Sequence, residues 1–211
     1  MSDELGESIR AALARAVPVL VFLAGPNGAG KSTFFKAYLQ AFDLFFINAD
    51  ELAKGLREEE PPRPVEDIDR LAFQAAEDLR NSFMYGGLSF CTETVFSDPG
   101  GAKLDFLKRA RSSGYHTFLA FIGLSDPELS VARVAQRVGE GGHDVPDAKL
   151  HGRFPRTFAN LAKAIPLVDE AFLFDNSSQD KPFRLVASFS NGKAVRRSDP
   201  LPAWAAGLPG L

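Results

Sequence analysis

Nine consecutive residues of this chain combine glycines, a lysine and two hydroxyl side chains at a spacing suited to holding phosphate groups. They are Gly25, Pro26, Asn27, Gly28, Ala29, Gly30, Lys31, Ser32 and Thr33. The run fits the pattern G-x-x-x-x-G-K-[ST], in which successive backbone N–H groups converge on phosphate oxygens. Lys31 is expected to reach the β- and γ-phosphates, and the Ser32 hydroxyl to help hold Mg²⁺.

The sequence on either side of this loop has the elements that such a loop needs. Residues 18–24 form a short apolar run that predicts a buried strand, and residues 32–42 have apolar side chains at helical spacing. A helix that begins at the loop adds a favourable dipole for anions. A glycine turn formed by chance is the alternative, and the strand–loop–helix context argues against it.

Beyond the loop, short apolar runs alternate with segments of helical periodicity, which predicts an α/β fold with a parallel five-stranded core sheet and helices on both faces. The proline-rich segment 57–64 predicts a loop, and the tail from residue 200 is expected to be loose. Further strands are expected at residues 44–48, 88–92, 116–122 and 171–174, and a hairpin with an Asn-Gly turn at 183–197. Helices are expected at residues 2–16, 50–56, 65–85, 101–113, 127–138 and 146–165. Ser125 or Asp126 is expected to cap the helix at 127–138.

Three acidic residues follow predicted strands, and ligands of parallel sheets bind at the carboxyl ends of the strands. The three are Asp50, Glu93 and Asp175. Asp50 could accept the proton of an attacking hydroxyl or hold Mg²⁺ through water, and its alternative role is a helix cap. Glu93 could bind a substrate hydroxyl or be only a solvated strand end. Because the phosphate loop lies on the same edge, the functional interpretations are favoured.

Two arginine pairs lie on the two predicted helices that follow the fourth strand. Arg133 and Arg137 are four residues apart, and Arg153 and Arg156 are three apart, so each pair shares a helix face. Arginine suits phosphate because its planar fork binds oxygens bidentately. The pairs predict a helical lid over about residues 133–156, with solvated surface arginines as the alternative.

Composition limits the class of protein. The 211 residues carry a formal charge of −3, which gives no general attraction to nucleic acid or to an anionic membrane. Cys91 is the only cysteine, so no intrachain disulfide or cysteine-based metal cluster can form. Because the longest early apolar run is too short to span a bilayer, we expect one cytoplasmic domain over residues 1–211 without membrane or nucleic-acid partners. His143 is expected to stabilise its loop, and His116 and His151 receive no role.

A similar loop occurs in transporter-type ATPase cassettes, and residues 167–170 could imitate the acidic strand end of those proteins. However, Pro166 interrupts the apolar run that such a strand requires, and the chain contains no Leu-Ser-Gly-Gly-Gln segment. The cassette interpretation is therefore rejected.

Several segments resemble the zeta-toxin family of P-loop kinases, in the order in which that family has them. The Asn-Ala-Asp and Gly-Gly-His-Asp-Val-Pro segments are the specific part of the resemblance. The matching segments are residues 24–33, Asn48-Ala49-Asp50, Glu93-Thr94, Arg133 to Val138 followed by residues 141–146, Arg153-Phe154-Pro155-Arg156 with Asn160-Leu161, and Asp175-Asn176-Ser177.

The resemblance implies a three-layer P-loop kinase fold and ATP- or GTP-dependent phosphorylation of a hydroxyl. The best-known acceptor of the family is UDP-N-acetylglucosamine, and an antitoxin protein is an implied partner. Asp50 would be the base. Phosphate and nucleotide binding would involve Lys31, the lid arginines Arg133, Arg137 and Arg153, and Asn176. Glu93, Thr94 and Arg156 would lie in the acceptor pocket with Asp50.

Two other functions are consistent with the sequence. One is a P-loop kinase for another small molecule, such as an antibiotic or a nucleoside. The other is a nucleotide-dependent switch with weak hydrolysis. A candidate base at Asp50 beside a second carboxylate at Glu93 favours a kinase over a switch.

Overall fold

The computed structural model describes residues 3–59, 64–140 and 145–211. Its strands are β1 Val19–Ala24, β2 Phe45–Ile47, β3 Phe90–Thr94, β4 His116–Gly123, β5 Glu170–Asp175, β6 Arg184–Ser190 and β7 Lys193–Arg197. They form one sheet in the order β2-β3-β1-β4-β5-β6-β7.

The strands from β2 to β5 in this order run parallel and form the core of the sheet. Every residue of β1 is buried, as expected for a central strand covered on both faces. The sheet has seven strands and not five, because the C-terminal hairpin pairs with β5 in antiparallel orientation. The predicted Asn-Gly turn is confirmed: Asn191 and Gly192 have φ of 47° and 76°, which matches the twist of a tight hairpin.

Seven α-helices connect and cover the strands in the described part of the chain. They are α1 Asp3–Leu13, α2 Lys31–Phe34, α3 Ala49–Glu59, α4 Val65–Gly86, α5 Ala102–Ser112, α6 Pro127–Gly139 and α7 Asp147–Ala164. Asp126 caps α6 by accepting a hydrogen bond from the Leu129 N–H at 2.8 Å, the N-cap arrangement that the sequence predicted. Among these helices none is both long and apolar enough to cross a membrane.

Two helical predictions need correction. α3 continues to Glu59, into the segment predicted as a loop, because a proline at position 61 restricts only itself and the residue before it. The helix after the phosphate loop is not uniform: α2 is followed by a π-helical turn at Phe35–Leu39 and a 3₁₀ turn at Gln40–Phe42. The rest of the proline-rich segment, residues 60–63, lies outside the described residues.

The alternation of β1 side chains divides the core into two layers. Leu20, Phe22 and Ala24 pack with residues of α4, α5 and α7 on one face of the sheet. Val19, Val21 and Leu23 pack with residues of α1 and the helix after the phosphate loop on the other face. The result is the three-layer arrangement that alternating strands and helices predict.

The C-terminal tail is packed and not loose. Ala205 and Leu208 are buried in the same core layer as Leu20, and Trp204 packs against this layer. Prolines and glycines in this segment suggested flexibility, but the apolar side chains between them gain more by burial than the backbone loses by ordering.

Candidate active site

The phosphate loop has the backbone conformation that its glycines permit. Gly25 has φ of 149°, and a side chain there would overlap the carbonyl oxygen of Ile122 on β4. Gly30 has φ of 84°, and a Cβ there would lie 2.9 Å from Nδ2 of Asn176. Both positions therefore require glycine, which agrees with a loop that closely approaches its neighbours.

Lys31 lies at the start of α2 and is 6% exposed. Its Nζ donates a hydrogen bond to the Pro26 carbonyl at 3.1 Å and lies 3.7 Å from Oε1 of Glu93. Burial lowers the pKa of Lys31, and the charges of Glu93 and Asp50 oppose this effect. The ammonium is thus bonded to Pro26 near the start of the loop, and the carboxylates of Glu93 and Asp50 favour its charged form.

Ser32 and Asn48 both donate hydrogen bonds to Oε2 of Glu93, at 2.8 and 3.0 Å. Glu93 is the penultimate residue of β3 and not beyond the end of the strand, and its side chain reaches Lys31 and Ser32 of the phosphate loop. Burial raises the pKa of Glu93, although the Lys31 charge opposes this. A hydroxyl and a carboxylate beside a phosphate-binding loop are oxygen ligands of the type that Mg²⁺ prefers, so the residues fit this ion.

Asp50 is in the first turn of α3, but it is not the helix cap. Asn48 occupies that role, since its Oδ1 accepts from the Asp50 N–H at 2.9 Å and its carbonyl accepts from the Leu52 N–H at 3.1 Å. The Asp50 side chain is exposed and lines a cavity beside Glu93. The cap alternative for Asp50 is therefore wrong, and its carboxylate is available for chemistry.

The cations of α6 face the phosphate loop. Ser130 donates to the Asn27 carbonyl at 2.7 Å and Arg133 to the Gly28 carbonyl at 3.5 Å, so the helix rests on the loop. Arg137 lies close enough to Lys31 for its charge to lower the lysine pKa. Asn176, after β5, supports the loop from the other side by donating to the Ala29 carbonyl at 2.9 Å.

The cations of α7 face the cavity. Arg153 and Arg156 both line it, and Nε of Arg156 donates to the Ser97 carbonyl at 3.1 Å. Further along α7, Thr157 and Asn160 donate to backbone carbonyls of the segment after β3. The helix is therefore fixed at this end. The predicted loop residues Gly141 to Asp144, including His143, lie outside the described residues.

The predicted lid helices share a small apolar core of their own. Val134 of α6 packs with Val145 and with Leu150 of α7, and these residues form a cluster separate from the two main core layers. The cluster packs the two helices against each other, while the contacts of α6 with the phosphate loop and of α7 with the segment after β3 join the pair to the main domain. Movement of this pair as a lid stays a prediction.

The cavity has a volume of about 610 Å³ and opens beside the phosphate loop. It brings together all four residues predicted for the acceptor, which are Asp50, Glu93, Thr94 and Arg156, together with Arg153. Thr94 accepts a hydrogen bond from the Phe96 N–H at 3.1 Å, which shapes the turn at the cavity wall. The volume lies within the range typical of small-molecule sites.

Sequence reasoning missed a charged cluster on the cavity wall, formed by Glu77, Arg80 and Lys103. Arg80 donates to Glu77 at 2.6 Å and to Oγ1 of Thr92 at 3.0 Å. Lys103 of α5 also bonds to Glu77 and lies 5.4 Å from the ring centre of Phe73. Only the spacing of Glu77 and Arg80, three residues apart on one predicted helix, could have indicated it.

Comparison with known proteins agrees with this geometry. The family model described as Zeta toxin matches residues 2–179. An uncharacterized protein of Haemophilus influenzae is 29% identical over 134 residues, which cover 64% of this chain and 91% of that protein.

Solved structures share the fold at low sequence identity. A chain of the PezAT toxin–antitoxin system of Streptococcus pneumoniae matches with a TM-score of 0.61 and 18% identity, covering 88% of this chain and 81% of that one. A chain of the complex of AvrRxo1-ORF1 and AvrRxo1-ORF2 with sulphate ions matches with a TM-score of 0.67 and 18% identity, covering 92% of this chain and 67% of that one. The structure of the same pair with ATP matches with a TM-score of 0.67 and 18% identity, covering 90% of this chain and 67% of that one.

A sheet with a parallel core, with a phosphate loop at the carboxyl edge of that core and with cations and a cavity beside the loop, agrees with the family match in making this chain a phosphotransferase of the P-loop kinase class. Within that class, the chain belongs to the Zeta toxin family, whose model covers most of its length.

Proposed function

We propose that this protein transfers the γ-phosphoryl group of ATP or GTP to a hydroxyl of a small molecule, with UDP-N-acetylglucosamine as the leading acceptor. The observation that carries the proposal is the cavity of about 610 Å³ beside the phosphate loop, with Asp50 on its wall. A nucleotide switch needs no second cavity for an acceptor. The acceptor itself is taken from the family, and the volume of the cavity is compatible with a small molecule.

In this proposal the donor nucleotide lies on the phosphate loop, with backbone N–H groups and Lys31 on its phosphates. Ser32 and Glu93, which lies between the phosphate loop and the acceptor cavity, would hold Mg²⁺, which neutralises phosphate charge when it is bound. Arg133, which bonds to Gly28 of the loop, and Arg137 would contact the donor from α6, and Asn176 fixes the loop beneath it. The complex of AvrRxo1-ORF1 and AvrRxo1-ORF2, which shares the fold, was solved with ATP, and this supports ATP as the donor.

Asp50 is the proposed general base, since its exposed carboxylate faces the cavity without a role in capping α3. It accepts the proton of the acceptor hydroxyl while the new O–P bond forms and the bond to the β–γ bridging oxygen breaks. The nucleoside diphosphate leaves. Arg153, at the cavity, stabilises the charge on the transferring group, and Thr94 and Arg156 orient the acceptor.

An antitoxin protein is the proposed macromolecular partner. The PezAT structure concerns a toxin–antitoxin system, and it shares the fold of this chain. The proposal predicts that co-expression with the product of an adjacent gene relieves any growth defect caused by this protein, and that a Lys31→Ala variant causes none.

A direct test is transfer of label from γ-³²P-ATP or γ-³²P-GTP to a panel of acceptors in the presence of Mg²⁺. The panel contains UDP-N-acetylglucosamine, other nucleotide sugars, nucleosides and an aminoglycoside, with products identified by mass spectrometry. Label on UDP-N-acetylglucosamine that depends on Asp50 supports the proposal in full. Label on another acceptor retains the kinase and replaces the substrate, whereas release of phosphate alone contradicts the kinase.

A further inference from the structure

The C-terminal segment lies beyond the residues that the family model matches, yet it reaches the nucleotide side of the site. Trp204 is the only tryptophan of the chain. Its indole Nε1 donates a hydrogen bond to Oδ1 of Asp175 at 3.2 Å. The ring lies directly on Gly123 at the end of β4, where an added Cβ would be 2.5 Å from the indole. The absence of a side chain at Gly123 therefore makes room for this contact.

The same carboxylate is held by two further groups. Ser177 donates to Oδ1 of Asp175 at 2.6 Å, and Nη2 of Arg184 lies 3.7 Å from its Oδ2. Arg184 also donates to Ser198 and to the Pro200 carbonyl, at 3.2 and 3.4 Å. The hairpin and the tail thus converge on one side chain at the end of β5.

Asp175 is connected to the proposed nucleotide site in two ways. The next residue, Asn176, donates from its backbone to the Gly123 carbonyl at 3.0 Å and from its side chain to the Ala29 carbonyl of the phosphate loop at 2.9 Å. In addition, burial lowers the pKa of Arg133, and the charge of Asp175 opposes this effect.

The indole also contacts the acceptor side. Its ring centre lies 5.5 Å from that of Phe158 on α7 and 5.9 Å from that of Phe121 on β4. α7 carries Arg153 and Arg156, which line the cavity. Trp204 therefore bonds to the end of β5 and also packs on the helix that carries the cavity arginines.

We infer that Trp204 is a positioning residue for the nucleotide: through Asp175 it fixes Asn176 against the phosphate loop. This inference rests on the proposed nucleotide binding and adds a determinant from outside the matched family region. The indole N–H is the functional group, because the ring alone would provide packing but would not orient a carboxylate.

The test compares Trp204→Phe, which keeps an aromatic ring and loses the N–H, with Leu208→Ala, which removes packing from the same tail. Affinity for a non-hydrolysable ATP analogue is measured by calorimetry well below both melting temperatures. We expect Trp204→Phe to raise the Kd about tenfold, the effect of one hydrogen bond to a charged group. Leu208→Ala is expected to lower the melting temperature at least as much and to leave the Kd within about twofold.

Arg184→Gln gives a second measurement if Trp204→Phe does not fold. Its guanidinium is partly exposed, so we expect the Kd to rise only about threefold, in the same direction. The single indole N–H resonance of the wild-type protein, observed by NMR, should also shift when the analogue binds, since Asp175 adjoins Asn176.

The outcomes separate the two hypotheses. If the wild-type protein binds no nucleotide, the proposed function fails and the positioning role fails with it. If the wild-type protein binds and Trp204→Phe binds equally well, only the positioning role is overturned. The same conclusion follows if both tail variants weaken binding in proportion to their loss of stability.

Discussion

The two halves of the site use carboxylates in opposite ways. On the donor half, at the phosphate loop, Glu93 has one cation, Lys31, and burial raises its pKa despite that partner. On the acceptor half, the wall formed by Glu77, Arg80 and Lys103, burial also tends to raise the pKa of Glu77, but two cations outweigh burial and the pKa is lowered. The net shift of the pKa is therefore upward at the donor carboxylate and downward at the acceptor carboxylate.

The difference indicates which half is ready for a charged ligand. A buried carboxylate with too little positive charge nearby favours an additional cation, which fits Mg²⁺ beside Ser32. A carboxylate with two bound cations is a structural support, and it fixes Arg80 and Lys103 on the wall of the cavity. Catalytic effects of substitution should therefore be large on the donor half and small on the acceptor wall.

Lys31→Ala should lower turnover more than any other substitution at the site. If it does not, the contrast between the donor half and the acceptor wall fails. The substitution removes the cation from the phosphates and exposes no apolar core, so we expect turnover to fall by about 10⁴-fold, within the range for a cation on the transferring group. Initial rates at saturating acceptor, together with circular dichroism, measure this. Lys36→Ala, an exposed lysine on the following turn, is the control. Turnover near the wild-type level in Lys31→Ala would refute the donor site.

Asp50→Asn should reduce turnover by about 10³-fold and leave nucleotide affinity unchanged, because the amide keeps the size but cannot accept the proton. Glu51→Gln, an exposed neighbour in the same helical turn, controls for the loss of one negative charge. Nucleotide affinity and single-turnover rates are measured separately. If Asp50→Asn instead weakens binding of the metal–nucleotide at unchanged turnover, Asp50 belongs to the donor half as a metal ligand.

Arg137→Ala and Arg153→Ala should each reduce turnover by about 10²-fold, with a smaller change in nucleotide affinity, because charge on the transferring group is greatest in the transition state. The corresponding lysine variants should recover only part of this, since lysine lacks the planar fork. Lys149→Ala, an exposed cation on α7, is the control. Equal losses in kcat and in nucleotide affinity would assign these arginines to ground-state binding.

The donor half could be predicted from the sequence because one contiguous segment supplies most of it. Glycines at fixed spacing, a preceding apolar strand and a following helix specify the loop without knowledge of distant contacts. The parallel core and the position of Asp50 at a strand end follow from the same alternation of elements.

The acceptor wall could not be predicted in the same way. Lys103 reaches Glu77 only because α4 and α5 pack on the same face of the sheet, and nothing near Lys103 in the sequence indicates that partner. The tail is a similar case, since Trp204 gains its role from contacts with β4, β5 and α7. The sequence predicts the two extra strands as a hairpin, but their antiparallel pairing with β5 depends on that strand having a free edge.

Glu77→Gln should lower the stability of the protein and leave turnover nearly unchanged, which would separate the acceptor wall from the donor half. Its folded pKa lies below the unfolded value of about 4.3, so its contribution to stability is present above that pH and is lost as pH falls through the folded pKa. At pH 7 the substitution should lower the free energy of unfolding by about 2 kcal/mol, because Arg80 and Lys103 lose a charged hydrogen-bond partner. Urea unfolding measures this.

The effect of Glu77→Gln on stability should disappear at acidic pH. As pH falls through the folded pKa, the wild-type carboxyl also becomes neutral, so the stability difference between the wild-type protein and Glu77→Gln should shrink towards zero. Glu66→Gln, exposed on the same helix, should show only a small difference across the pH range.

Because Glu77 contacts neither the phosphate loop nor Asp50 among its described hydrogen bonds, kcat of Glu77→Gln should change by less than about threefold, while the KM for the acceptor rises as Lys103 loses its fixed position. A fall in kcat comparable to that of Asp50→Asn would mean that the acceptor wall takes part in the chemistry, and the distinction between the two halves would not hold.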